Sequence, residues 1–308
     1  MIETKGLRKT YGSTVAVHGL DLQVEKGDIF GFIGPNGAGK TSTIKMLATL
    51  MPPSGGEARI DGMSVATDAH RVRRVIGYMP DFFGVYEEMR VDEYLEFFAA
   101  AYGIARRERP RIVRDILDLV DLSHKKADII GSLSRGTQQR LGLARVLVHD
   151  PKVLLLDEPA SGLDPRARVE IRELIRELGK MGKTVLISSH ILPELGDLCN
   201  KVAIIEHGKM VYTGSVAEVV RQAAVGRVVL VRTRDRLEEA QKLLQGHALV
   251  EGVQPEAGTL RATLRDREAC ISFIPELLVK AGLQVVFLRE EELNLEDAFM
   301  RLTRGVVS

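Results

Sequence analysis

The chain has 308 residues, enough for two domains, and its 45% hydrophobic and 28% charged residues are ordinary for a soluble globular protein. Its net charge of +1 supplies no global basic field for nucleic acid. Apolar runs such as Val153–Leu156 and Val202–Ile205 fall far short of the roughly 18 residues of a spanning helix, Glu3 and Lys5 interrupt any signal-peptide core, and two cysteines, Cys199 and Cys270, suggest a reducing compartment rather than a disulfide framework.

Residues 1–33 read as short strands with turns. Val15, Val17, Leu20, Leu22 and Val24 are mostly spaced by two, as in strands facing a core. Tyr11-Gly12 falls in the first turn. Tyr11 has the ring to stack on a base, but on its own chemistry it reads as a half-buried turn tyrosine.

Asp28-Ile-Phe-Gly-Phe-Ile33 reads as a buried strand, and Thr41–Leu50 as a helix running until Pro52-Pro53. Between them lies Gly34-Pro-Asn-Gly-Ala-Gly-Lys-Thr41, which fits Gly, four residues, Gly, Lys, Ser/Thr. Such a loop wraps a polyphosphate with backbone N–H groups, because glycine tolerates unusual dihedrals and presents no side chain. Lys40 reaches the β- and γ-phosphates, and the Thr41 hydroxyl is placed to coordinate Mg2+. Strand, glycine loop and helix come in the required order, with the positive end of the helix toward the phosphates.

Residues 51–81 continue as a β-rich part with turns at Ser54–Gly56 and Asp61-Gly62. Ile76-Gly-Tyr-Met-Pro80 reads as a strand ended by proline. Asp81, just beyond, is either a metal or water ligand or an exposed loop aspartate. From about residue 82 to 150 the pattern turns helical. Leu95, Phe97, Phe98 and Tyr102 mark one helix, and Ile112, Ile116, Leu119 and Val120 another. Leu133-Ser-Arg-Gly-Thr-Gln-Gln-Arg140 opens a third. Ser134 is placed as its N-cap and Gly136 leaves first-turn donors open, so this start is either an anion site or a simple capped helix.

Val153-Leu-Leu-Leu156 reads as a fully buried parallel strand ending in Asp157-Glu158. Two carboxylates closing an apolar strand need partners. Asp157 suits Mg2+, and Glu158 suits a general base acting on water. Ser161-Gly-Leu-Asp164-Pro165 makes a turn before a helix marked by Ile171, Leu174, Ile175 and Leu178. Thr184–Ser189 is another buried strand. His190 at its end is either a hydrogen-bonded loop residue or a γ-phosphate contact, and Val202–Ile205 with Met210–Tyr212 form a hairpin.

Beyond about residue 224 the order becomes β-α-β-β-α-β. The strands are Arg227–Thr233, Leu249–Val253, Thr259–Leu264 and Val285–Leu288; Leu237–Leu244 and Ile271–Leu278 carry the helices. This predicts a small ferredoxin-like sandwich over residues 225–308, suited to dimer contact or regulation.

The set Gly34–Thr41, Leu133–Arg140, Val153–Asp164 and His190 resembles the nucleotide-binding subunit of an ATP-binding cassette (ABC) transporter. The resemblance covers about residues 1–220. Within that family the chain is similar to the ATPases of bacterial ABC-2-type exporters, as is Glu296–Thr303 near its end. It implies an α/β P-loop NTPase cassette over residues 1–220, with a RecA-like core, an antiparallel β subdomain and a helical subdomain at about 82–150, followed by the small α+β domain.

Roles follow by the same resemblance. Tyr11 would stack on adenine, reversing the reading above. Gly34, Pro35, Asn36, Gly37, Ala38, Gly39, Lys40, Thr41 and Ser42 would wrap the triphosphate of ATP. Thr41, Asp157 and Asp81 would serve Mg2+. Glu158 would be the catalytic carboxylate and His190 the switch histidine on the γ-phosphate. Ser134 and Gly136 would bind the ATP held by a second cassette, the same chain or a different one, and Asp164 would lie in the loop joining the two. Partners would be separate transmembrane permease subunits, with no nucleic acid, and the protein would be cytoplasmic, peripheral on the membrane's cytoplasmic face. Two positions depart from the family pattern: Arg135 stands where the signature commonly has glycine, and its charge would favour a triphosphate; Asp81 stands where a loop glutamine is usual. A soluble ABC ATPase acting on ribosomes or DNA is the rival. Its members carry paired cassettes or long coiled coils, and this chain has one uninterrupted cassette without heptads.

Overall fold

The computed structural model describes residues 1–191, 195–223, 227–265 and 270–290. The chain divides into two compact units between Val219 and Val220.

The first unit opens with β1 (Ile2–Tyr11) and β2 (Thr14–Val24), strands of 10 and 11 residues. They are long rather than the short strands the sequence suggests. Bulges between Thr4 and Thr10 let the pair bend without ending, and turn signals such as Gly6 and Gly19 sit inside the strands at positive φ. After β3 (Ile29–Ile33) comes α1 (Lys40–Leu47). It stops well before the prolines, because Thr49 takes φ +61° and the amides of Thr49 and Leu50 turn back to Met46 O and Lys45 O, the pattern that closes a helix C-terminus.

Next come β4 (Gly55–Ile60), β5 (Met63–Ser64), α2 (Ala69–Val75) and β6 (Ile76–Met79). The β-rich reading of residues 51–81 missed α2, whose seven residues bury only Val72 and so give almost no periodic signal. The helical stretch holds α3 (Val91–Ala101), α4 (Arg109–Leu119) and α5 (Arg135–Leu147). Then follow β7 (Val153–Asp157), α6 (Pro165–Lys180), β8 (Thr184–Ser189), β9 (Lys201–Glu206), β10 (Lys209–Ser215) and α7 (Val216–Ala223).

Two sheets share this unit. One is antiparallel, in the order β2-β1-β4-β5; the other runs β10-β9-β3-β8-β7-β6, parallel except for β10. A continuous core joins them, with Leu20 and Leu22 of β2 in one cluster with Phe30, Ile44, Leu155 and Leu186. Every residue of β7 and β8 is buried. Each leucine there contributes about 1.5–3 kcal/mol by leaving water, which fixes these strands centrally. The carboxyl ends of β3, β7 and β8 lie side by side, with Ile33 opposite Ser189 and Asp157 opposite Ser188. Ligands of parallel sheets bind at that edge.

The second unit contains β11 (Arg227–Thr233), α8 (Leu237–Gln245), β12 (Val250–Glu256), β13 (Thr259–Leu264), α9 (Phe273–Lys280) and β14 (Val285–Glu290). Its antiparallel sheet has the order β12-β13-β11-β14, the arrangement of a ferredoxin-like sandwich. Ala240 and Leu244 of α8 and Ile274 and Leu278 of α9 pack with Val229, Val231 and Leu260 into a separate core. The sequence feature at Glu296–Thr303 lies outside the described residues.

Candidate functional site

The loop between β3 and α1 is shaped by contacts that exclude side chains. A Cβ on Gly34 would lie 2.2 Å from Ile205 O, and one on Gly39 2.5 Å from Ala16 O, with Gly39 also at φ +102°. Gly37 takes φ +82°. Only glycine meets these demands without strain. The hairpin between β9 and β10 braces the loop, since Gly208 N donates to Ala38 O at 3.0 Å.

Lys40 is buried at the start of α1. Its Nζ donates to Gly34 O at 2.6 Å and Pro35 O at 3.2 Å and lies 3.5 Å from Glu158 Oε1. The cation therefore sits inside the ring that the loop makes, with a carboxylate across from it.

Asp157 is only 1% exposed. Its Oδ1 accepts from Ser188 Oγ at 2.6 Å. Burial holds its carboxyl above the usual range. Hydrogen bonds from Ser188 and Thr41 oppose this rise, while the charges of Glu158 and Asp81 add to it. Because folding raises this pKa, ionised Asp157 subtracts stability as pH climbs through the folded value, and the neutral acid below the unfolded value does not. Asp157→Asn is expected to raise the melting temperature of the nucleotide-free protein at pH 7 by about 2–4 °C per kcal/mol regained, with the difference shrinking in acid. A lower melting temperature for the variant at pH 7 would contradict this. The same buried carboxylate suits a hard cation, and the Thr41 hydroxyl is its neighbour.

Glu158 adopts φ +51°, uncommon for any residue but glycine. Its amide donates to Ser188 Oγ at 3.0 Å and Ser188 O at 3.2 Å, which holds the turn. Its Oε2 accepts from His190 Nδ1 at 2.8 Å, while its buried Oε1 has no hydrogen-bond donor. A carboxylate with one oxygen oriented and the other without a hydrogen bond, facing the Lys40 ammonium at 3.5 Å, can accept a proton from water. Ser188 thus serves both Asp157 and Glu158, a residue that sequence reasoning passed over. Its signal was a pair of serines ending an otherwise apolar strand.

Tyr11 ends β1 at the turn and is 46% exposed, about half-buried. Its hydroxyl lies 3.2 Å from Ser42 Oγ and donates to Met51 Sδ at 3.1 Å, with Lys9 Nζ 5.3 Å from the ring centre. Asp81 is exposed and near enough to Asp157 to act on its charge. Thus Lys40, Thr41, Asp81, Asp157, Glu158 and His190 gather at one strand edge, and Tyr11, from the other sheet, reaches Ser42 on α1.

Ser134, Gly136 and Asp164 form a second group. Ser134 caps α5, accepting from Thr137 N at 3.3 Å; Asp164 caps α6, accepting from Ala167 N at 3.0 Å. A Cβ on Gly136 would lie 2.9 Å from Ala167 Cβ, so the two helix starts abut. Among the described residues, no hydrogen bond or ion pair joins these three to Lys40, Thr41, Glu158 or His190. The Arg135 guanidinium donates to Ser161 O at 3.3 Å in the same subunit, because that carbonyl lies beside the start of α5.

A family profile described as "ABC transporter" matches residues 17–161. The chain is 33% identical over 303 residues to a Nod factor export ATP-binding protein of Ralstonia nicotianae, covering 98% of this chain and 94% of that protein. It is also 33% identical over 304 residues to a daunorubicin resistance ATP-binding protein of Streptomyces coeruleorubidus, covering 98% and 95%. A solved ATP-binding subunit of an ABC transporter superposes with TM-score 0.65 at 30% identity, over 72% of this chain and 92% of that one. A dimeric bacterial ABC transporter cassette, at TM-score 0.64 and 24% identity, covers 70% of this chain and 98% of its own and shares the fold.

Proposed function

This chain belongs to the family of ABC transporter ATP-binding subunits, and on that premise we propose that it hydrolyses ATP to drive export through separate transmembrane subunits. The observation that carries the proposal is the array at the strand edge. Lys40 lies within a glycine-shaped ring, Glu158 Oε1 faces it at 3.5 Å without a hydrogen bond, and His190 orients the other carboxylate oxygen. The loop N–H groups and Lys40 bind the triphosphate, and Tyr11 stacks on the base. Glu158 takes the proton of the attacking water, with His190 holding the carboxylate and then meeting the γ-phosphate. Mg2+ fits the buried, charge-crowded Asp157 carboxylate and the Thr41 hydroxyl, with Asp81 contributing through water; bound there it would neutralise phosphate charge.

Ser134 and Gly136 lie at a helix start with no acidic residue in the first turn. We assign them to the ATP of a second cassette, with Asp164 in the loop between the two. Among the described residues no helix is long and apolar enough to cross a membrane, and we assign the pore to separate permease chains. Exposed aromatic side chains of the helical subdomain are candidates for contact with them: Phe82 is 87% exposed, and Tyr86 and Phe97, in edge contact with each other, are also open. The Nod factor export and daunorubicin resistance names of the relatives support export as the direction. The protein then works at the cytoplasmic face of the membrane, held there by its permease. The second unit is proposed as an accessory domain for dimer contact or regulation.

Lys40→Ala removes the cation from the ring and is expected to weaken ATP binding at least tenfold, the cost of one charge-assisted contact of about 1.5–3 kcal/mol. Titration with a fluorescent ATP analogue checks this. Equal affinity in the variant would mean that the ring does not bind phosphate.

A further inference from the structure

Three of the points that fasten the stretch from Glu158 to Asp164 to the rest of its unit lie on its backbone between Glu158 and Ser161. Glu158 N donates to Ser188, Gln139 Nε2 donates to Pro159 O at 2.7 Å, and Arg135 Nη2 donates to Ser161 O at 3.3 Å. Two of the three fastenings come from α5. Gln139 is buried, whereas Arg135 reaches its carbonyl across the exposed rim. Gly162 makes the seat for it. That residue has φ +67°, and a Cβ there would lie 2.5–2.7 Å from the guanidinium atoms. A glycine at position 135, as the family signature commonly has, would supply no such bond.

We propose that Arg135 is a positioning residue that ties the start of α5 to the turn following Glu158. The inference rests on the proposed function above, in which Ser134 and Gly136 meet the nucleotide of a second cassette. In each subunit the element that senses the partner's ATP is then pinned to the loop that carries its own general base. Occupation of one site shifts α5, and Gln139 and Arg135 pass the shift to residues 159–161 and so to Glu158. Turnover at each ATP site then responds to occupation of the other, because each subunit contributes one pinned body to both.

The test is ATP hydrolysis by the full-length chain as a function of ATP concentration, for the native protein, Arg135→Ala, Arg135→Gly and Arg135→Lys. Arg135→Ala keeps helix propensity at the start of α5, so its result does not depend on glycine flexibility. Both Arg135→Ala and Arg135→Gly are expected to lower kcat about threefold to tenfold, the effect of one ordinary hydrogen bond at an exposed rim. Their Hill coefficient should fall toward ~1 while half-saturating ATP stays unchanged. Arg135→Lys keeps a donor for Ser161 O and should restore most of the kcat and cooperativity. Native kcat and cooperativity in Arg135→Ala would overturn the proposal. So would a rise in half-saturating ATP with cooperativity intact, since Arg135 would then contact nucleotide directly. Failure of the underlying reading looks different: hydrolysis that survives Glu158→Gln would remove the general base itself, whatever Arg135 does.

Discussion

Glu158→Gln is expected to lower steady-state phosphate release by about 10²–10⁴-fold, the range by which a positioned general base accelerates reaction. The amide has the shape of the carboxylate but cannot take a proton from water. The packing is left in place, because the turn is held by the Glu158 amide on Ser188 rather than by the side chain. Nucleotide affinity should be retained or rise, since one negative charge leaves a site built for polyphosphate, and an ATP-bound dimer should accumulate. Lys40 would lose its carboxylate neighbour at 3.5 Å but keep the loop carbonyls of Gly34 and Pro35. Phosphate release and ATP-binding titration on the same preparation separate chemistry from binding. Turnover near the native rate would remove Glu158 from the mechanism.

Ser134→Arg is expected to cost about 10²-fold in hydrolysis, the scale of a misplaced reacting group, although Ser134 shares no hydrogen bond or ion pair with Lys40 or Glu158 in its own subunit. The loss of its cap weakens α5 by about 1 kcal/mol, so the fold should survive. The decisive form of the experiment pairs a Glu158→Gln subunit with a Ser134→Arg subunit. If the sites are shared across subunits, one site collects both defects and the other is intact. The mixed dimer then recovers up to half the native activity, well above either variant alone. If each subunit works by itself, both halves are dead and nothing is recovered.

The parts of this protein that follow short-range chemistry were legible in its sequence. Gly34–Thr41 announces a phosphate loop because its spacing leaves few other uses, and the apolar run before Asp157-Glu158 announces a central strand. The β-α-β-β-α-β order after residue 224 followed from alternating periodicities. What escaped depends on tertiary neighbours. Ser188 acquires its role only because β8 lies beside β7, with its hydroxyl between Asp157 and the Glu158 amide. The positive φ of Glu158 is set by that same bond, since glutamate has no preference for it. Arg135 finds Ser161 because the first turns of α5 and α6 abut at Gly136 and Ala167, a contact with no mark in the local sequence. Thr49 ends α1 ahead of Pro52, against the dislike of β-branched residues for positive φ.

The claim that ATP hydrolysis here drives export is tested most directly by purifying the tagged full-length chain from its own cells in mild detergent and identifying its companions by mass spectrometry. The expected companion is a multi-spanning membrane protein at matching abundance, which would also give the first handle on the cargo. Ribosomal proteins, DNA-bound proteins or no companion at all would contradict export and leave a soluble ATPase in its place.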